Sequence, residues 1–220
     1  MSISCRLQTV WNELPANVRL VAVSKLHPAE ELMEAYNAGQ RIFGESKVQE
    51  LTAKYEVLPK DIEWHFIGHL QTNKIKYIVP FVYMIHSIDS ENLLREVNKY
   101  AEKAGRKVDV LLQIHIAQEE TKYGFSEEEC CEFLSSGEYK MLNNINIRGL
   151  MGMATFTEDA NVVRSEFKRL SSFFRRLKRS FFLSDVHFNE LSMGMSEDYR
   201  IAIEEGSTLV RIGSKIFGER

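Results

Sequence analysis

Two places in the sequence carry groups that could act together on one small molecule. Lys25 stands at the end of the apolar run Leu20-Val21-Ala22-Val23-Ser24, and Arg211-Ile212-Gly213-Ser214 stands near the other terminus. A lysine amine condenses with an aldehyde once it has shed its proton, which partial desolvation and nearby positive charge favour. A glycine-serine turn opening a helix can cradle a phosphate on its backbone N–H groups. An aldehyde and a phosphate on one molecule point to pyridoxal 5'-phosphate.

Taken singly, each signal is weak, because most lysines at strand ends are simply solvated and many helices begin with a glycine turn. Position strengthens the first: Pro28 and the periodic Leu32, Met33, Ala35 and Tyr36 mark a strand, a tight turn and a helix, with Lys25 on the strand side. In parallel α/β folds, ligands sit at the carboxyl ends of strands. A second candidate cradle is Ser192-Met193-Gly194-Met195-Ser196. It reads as a small-residue turn after a strand ending at Leu191, leading into a helix capped by Ser196 that runs through Tyr199, Ile201 and Ile203 and stops at Gly206. Glu197 and Asp198 would repel a phosphate dianion if they faced it, and are expected to point outward and serve the helix dipole.

Arg211 shares one strand face with Leu209 and Gly213. An arginine inside a barrel strand cannot discharge itself and needs an acceptor. Two readings stand side by side: a buried ion pair with a carboxylate such as Glu45, or donation to the ring nitrogen of the cofactor. Such a donor keeps that nitrogen unprotonated and weakens the ring as an electron sink.

Eight short β-branched or apolar runs supply the elements that must position these groups: Arg19 to Val23, Arg41 to Gly44, Glu63 to Ile67, Val82 to Ile88, Val108 to Ile116, Ile145 to Leu150, His187 to Leu191 and Thr208 to Ile212. Helical patterns lie between them. Ser90 caps a helix through Leu93, Leu94, Val97 and Ala101 that stops at Gly105, and Ser126 with Glu129 reads as a capping box for a helix ended by Gly137. The longest helix runs from about Asp159 to Arg179, with Val163, Phe167, Leu170, Phe174 and Leu177 at helical spacing as core packing. Strand-helix alternation repeated eight times over 220 residues predicts a single-domain TIM (β/α)8 barrel over residues 18–220, preceded by a short leading helix over residues 1–17 ending at Pro15. An open flavodoxin-like sheet is the structural alternative.

Composition narrows the class. A formal net charge of −3 with dispersed basic residues argues against a nucleic-acid arm, the cluster Arg175-Arg176-Leu177-Lys178-Arg179 reading rather as an exposed helix face. Three cysteines, two of them adjacent at Cys130-Cys131, lack the spacing of a zinc site and fit reduced thiols in the cytoplasm. No signal peptide or membrane-length apolar run is present. His65, His69, Gln71 and Asn73 are expected as lining or supporting groups, with a structural role equally open to His65; no metal site is expected. Lys122 offers a second amine at the rim, a role expected to be absent.

Val21-Ala22-Val23-Ser24-Lys25, Phe43-Gly44-Glu45, His65-Phe66-Ile67-Gly68-His69-Leu70-Gln71-Thr72-Asn73-Lys74, Leu191 to Ser196, Arg211-Ile212-Gly213-Ser214 and Ile216-Phe217-Gly218 together closely resemble the pyridoxal phosphate homeostasis proteins (YggS/PROSC type). The resemblance spans nearly the whole chain. It implies the barrel of the alanine racemase N-terminal domain, Lys25 as the Schiff-base lysine, Ser192, Gly194, Met195, Gly213 and Ser214 around the phosphate, and Arg211 at the ring nitrogen. Two departures stand out: Ser46 replaces the asparagine that usually follows Phe-Gly-Glu, and the leading helix is short.

The resulting expectation is a pyridoxal phosphate binder that holds the cofactor as an imine, takes part in intracellular vitamin B6 homeostasis and passes the cofactor to apoenzymes. An amino-acid racemase is the runner-up. It needs a second acid/base on the opposite face, supplied in the resembling racemase by a further β domain and a partner subunit; the chain closes at Arg220 straight after the eighth strand, so efficient racemisation and a racemase-like dimer are not expected, and a monomer is. A third class, a barrel enzyme for another phosphorylated metabolite, would leave Lys25 without a role unless it formed an imine with substrate.

Overall fold

Strands as apolar as Leu20–Val23 and Val110–Leu112 need cover on both faces, which a closed parallel barrel inside a ring of helices supplies. The computed structural model describes residues 1–119 and 123–219. Its strands are β1 (Arg19–Val23), β2 (Ile42–Glu45), β3 (Glu63–Phe66), β4 (Met84–Ile88), β5 (Val108–Gln113), β6 (Ile145–Met151), β7 (Glu190–Met195) and β8 (Leu209–Ile212), in barrel order. Parallel pairing of Val21 with Arg211 and Ala22 with Ile212 closes β8 onto β1, so the open-sheet alternative falls away.

Helix α1 (Ile3–Glu13) precedes β1; α2 (Ala29–Asn37), α3 (Val48–Val57), α4 (Ile75–Ile78), α5 (Glu91–Lys103), α6 (Glu127–Ser136), α7 (Ala160–Phe181) and α8 (Tyr199–Glu204) lie between successive strands; α9 (Ser214–Phe217) follows β8. The caps read from sequence form: Ser90 accepts from Leu93 N–H at 3.3 Å, Ser126 and Glu129 make the reciprocal box, and Gly137 ends α6 at φ 75°. Asp159 caps α7 through Asn161 N–H. Buried Ile3, Leu7 and Val10 seat α1 on the barrel, Arg6 donates to the Ile216 carbonyl at 2.5 Å, and Glu13 receives Tyr199 and Arg200. The leading helix therefore braces the two helices that follow β7 and β8.

One strand differs from expectation. The seventh runs from Glu190 to Met195 rather than ending at Leu191, so the presumed turn Ser192 to Met195 is itself strand. Backbone partners on both sides override the small side chains: Met151 pairs with Ser192, Ser192 with Leu209 and Met195 with Arg211. The register shifts between Ser192 and Met195, a bulge that Gly194 accommodates at φ 93°. The following helix starts at Tyr199 with Asp198, not Ser196, at its N-cap.

Most of the core lies between sheet and helices, with a smaller apolar layer inside the barrel formed by Val21, Met84, Leu111, Met151 and Leu209. Below it, near the strand starts, Arg19 pairs with Glu190 at 2.5 Å and Arg148 with Asp109 at 2.9 Å. Above it, the carboxyl ends of the strands carry the polar groups considered next.

Candidate functional site

Lys25 leaves β1 in a tight turn closed by His27 N–H donating to the Ser24 carbonyl at 3.1 Å. The third residue of that turn, Leu26, has φ 68°, the only positive φ of a non-glycine residue among those described. Left-handed backbone costs an L-residue roughly 1–2 kcal/mol, so surrounding contacts must hold it. Lys25 is half-buried and lines a cleft of about 410 Å³ together with Val23, Ser46, Ile67, Met153, Met195, Ser196, Arg211, Gly213, Ser214, Gly218 and the exposed Glu219. The amine at the end of β1 and the arginine of β8 thus share one cavity, as their placement on paired strands requires.

Arg211 is 4 % exposed. Its guanidinium donates to Ser192 Oγ at 2.6 Å and to the Gly152 carbonyl at 3.1 Å, and no carboxylate among the described residues lies within ion-pair distance. The ion pair with Glu45 weighed from sequence does not form; Glu45 faces α3 and pairs with Lys54 at 2.7 Å. Burial lowers Arg211 to about 10, which still leaves it a cation at neutral pH. A buried cation whose direct contacts are a hydroxyl and a carbonyl, with Asp198 acting on it only through space, still has N–H donors to offer an electron-rich ligand.

Behind Ser192 the chain of contacts continues: His86 Nδ1 lies 2.9 Å from Ser192 Oγ, and His86 Nε2 lies 2.8 Å from His65 Nδ1. Arginine can only donate, so Ser192 accepts from it and turns its own proton to His86; His86 then donates to His65. The opposite direction would strand the Ser192 proton as well as His65 Nε2, which has no partner in either case. Burial drives both rings neutral, His65 down to about 3 and His86 well below its ordinary range.

On the other wall, β7 and β8 end at Met195, Ser196, Gly213 and Ser214. Gly213 N–H donates to Ser196 Oγ at 3.3 Å, and a Cβ on Gly213 would meet the Val23 carbonyl at 3.0 Å, so a larger residue would crowd β1. Glu197 is exposed, as expected, but Asp198 is not turned outward: its carboxylate folds back onto Met195 N–H at 2.5 Å. Burial raises the Asp198 carboxyl, against the pull of that amide and of Arg211.

The residues singled out from sequence therefore divide. Lys25, Met195, Arg211, Gly213 and Ser214 line one cleft, joined by Ser46, whose short side chain stands at the wall. Ser192 and Gly194 do not line it. Ser192 is buried beneath Arg211 and orients it. Gly194 meets the outer helix layer, where a Cβ would strike Ala202 at 2.6 Å and the Tyr199 Cα at 2.9 Å. His69 pairs with Asp89 at 3.0 Å and stacks on Tyr123 at the rim. Lys122 lies outside the described residues. Among the described residues no cluster of three His, Cys, Asp or Glu could hold a metal.

Two residues that matter here went unmarked in the sequence reading. His86 sits inside the apolar run Met84-Ile85-His86-Ser87-Ile88, and a histidine there needs a polar partner. Lys54 falls three residues after Leu51 on the buried face of α3, a position where lysine must be paired.

An amine and an unpaired arginine at the carboxyl mouth of a parallel barrel define a class of lysine-bearing (β/α)8 binding sites. The sequence profile of the alanine racemase N-terminal domain matches residues 2–220. A pyridoxal phosphate homeostasis protein of Aquifex aeolicus is 44% identical over 92% of this chain and 87% of its own length, and one of Schizosaccharomyces pombe is 41% identical over 93% and 85%. PipY of Synechococcus elongatus, in its structure with PLP bound, superposes with a TM-score of 0.89 at 36% identity, covering 99% of this chain and 100% of PipY. The chain belongs to the pyridoxal phosphate homeostasis protein family, built on the alanine racemase N-terminal domain.

Proposed function

We propose that this protein binds pyridoxal 5'-phosphate through Lys25, holds it as a Schiff base and passes it to apoenzymes rather than turning over a substrate of its own. The observation that carries this reading is the buried Arg211, hydrogen-bonded to a hydroxyl and a carbonyl with no carboxylate among the described residues in direct contact, on the same cleft as Lys25. The residues fit the group: an amine for the aldehyde, a guanidinium for the ring nitrogen, and the small residues Ser196, Gly213 and Ser214 on the cleft wall for the phosphate. When bound, the group would supply an aldehyde for reversible condensation with the Lys25 amine, with loss of water.

Arg211 would donate to the ring nitrogen and, by keeping it unprotonated, would weaken the electron sink that racemisation needs. Ser192 and Gly152 fix the direction of that donation. Met195 and Ser196, with Gly213 and Ser214, border the phosphate end, with Ser196 already orienting Gly213 N–H. The role of Ser192 and Gly194 toward the phosphate is accordingly indirect: one orients Arg211, the other seats α8 against β7. The PLP-bound PipY relative supports the cofactor, and the relatives' shared name supports a homeostatic rather than enzymatic role. A monomer in the cytoplasm, with its three thiols free, completes the reading.

The test is borohydride reduction of the loaded protein followed by digestion and mass analysis. A pyridoxyl adduct on Lys25 is expected. An adduct on Lys122 or Lys215 instead would displace the site, and none at all would remove the Schiff base.

A further inference from the structure

Lys54 is the only buried lysine among the described residues, at 6 % exposure, and does not line the cleft. Its ammonium meets three acceptors, each at 2.7 Å: the Ser24 carbonyl, Glu45 Oε1 and Glu50 Oε1. Three donors on three acceptors saturate the group and fix its place. All three acceptors lead to one turn. The Ser24 carbonyl is the one that closes the turn by accepting His27 N–H, Ser24 Oγ donates to Glu45 Oε1 at 2.6 Å, and Leu26 N–H donates to Glu50 Oε1 at 2.5 Å. The network therefore grips the residue before Lys25 and the residue after it, and the second grip falls on the left-handed Leu26.

We propose that Lys54, acting through Glu45 and Glu50, is the positioning residue for Lys25: it clamps the turn Ser24 to His27 in its left-handed conformation and so keeps the amine on the cleft wall. The inference rests on Lys25 being the reacting amine, but its geometry belongs to the cofactor-free protein and is tested there. Without the clamp, Leu26 relaxes toward ordinary backbone and the amine spends less time where an aldehyde can reach it.

Amide hydrogen exchange at Leu26 and His27, measured on the cofactor-free protein, gives one readout; the rate of appearance of the imine absorbance on adding pyridoxal phosphate gives the other. Lys54→Met leaves two carboxylates without their partner and can fail to fold, so Glu50→Ala is the second variant, keeping the buried Lys54–Glu45 pair while removing the Leu26 acceptor. Exchange at the two amides should quicken about tenfold in Glu50→Ala and at least as much in a folded Lys54→Met, with α5 unchanged in both, and imine formation should slow by about the same factor. Adding Leu26→Gly should restore the imine rate, because glycine adopts the turn without being held.

Exchange and imine rates within about twofold of the parent in Glu50→Ala, or slowing that Leu26→Gly does not relieve, would overturn the clamp. If the parent protein itself gives no adduct on Lys25, the functional reading fails, while exchange in Lys54→Met and Glu50→Ala together still decides whether the Lys54 network holds the turn.

Discussion

Two cations are buried beside the cleft, one outside the sheet and one inside it, and their surroundings are opposite. Lys54 is saturated by two carboxylates and a carbonyl. Arg211 touches a serine hydroxyl and a carbonyl, backed by two neutral histidines. Burying a charge is costly unless it is paired. The first site meets that cost by direct pairing and yields rigidity; the second meets it only in part, through the Asp198 carboxylate at longer range, which leaves it favouring an electron-rich group that enters the cleft. One buried cation serves as an anchor and the other as a ligand contact, and only the partners tell them apart.

The largest expected effect concerns the amine between them. Lys25→Ala should abolish the reducible adduct and the visible imine band while shifting unfolding stability by only about 0.5 kcal/mol, because a half-buried turn side chain contributes little packing. A retained adduct in this variant, read by mass analysis, would move the covalent site elsewhere.

The contrast itself breaks if Arg211 is given the surroundings of Lys54. Ser192→Asp places a carboxylate where the guanidinium now meets a hydroxyl, balancing the charge internally. Cofactor affinity, measured by absorbance titration, should fall roughly 10- to 100-fold. Unchanged affinity would mean that Arg211 contributes orientation without charge.

The contrast also says what could be read from the sequence. The barrel was legible because its strand runs and helix caps alternate cleanly, and Lys25 and Arg211 were legible because strand ends and strand faces follow from spacing. The extent of β7 was not: Ser192, Gly194 and Met195 look like a turn, and only pairing with β6 and β8 makes them a strand. That difference makes Ser192 and Gly194 strand residues that do not line the cleft. The choice of partner for Arg211 was equally hidden, since nothing local says that Glu45 faces α3, nine residues before the lysine that claims it.

A smaller effect appears in acid. His65 and His86 are held neutral, His65 down to about 3, chiefly by burial. Below the ordinary histidine value of about 6.5 the unfolded chain takes up protons that the folded chain refuses, so stability falls as pH drops through the range between the two values, by about 1.4 kcal/mol per pH unit for each ring. Glu45 and Asp198, raised by burial, act in the opposite direction while pH falls from their folded values toward the ordinary carboxylate range. Comparison with a variant removes that background: His65→Phe, which keeps an aromatic ring against Tyr83, should flatten the stability profile between about pH 6 and 5 by close to one ring's share. Parallel profiles would mean that His65 titrates normally.

The smallest expected signal is catalytic, and it sharpens the contrast most. If the unpaired charge of Arg211 is aimed at the ring nitrogen, the ring is a poor electron sink, and the Cα proton of a bound amino acid stays in place. Incubated with L-alanine and pyridoxal phosphate, the protein should develop an imine band yet convert a negligible fraction to the D form, while a cofactor-free enzyme mixed with the loaded protein should regain activity beyond what an equal concentration of free cofactor gives. Racemisation on the order of 1 per second or faster would overturn the carrier reading and show that the arginine does not suppress the chemistry. No gain in the recipient enzyme beyond free cofactor would leave a protein that stores the aldehyde without delivering it, so the two measurements separate what Arg211 does to the cofactor from where the cofactor goes.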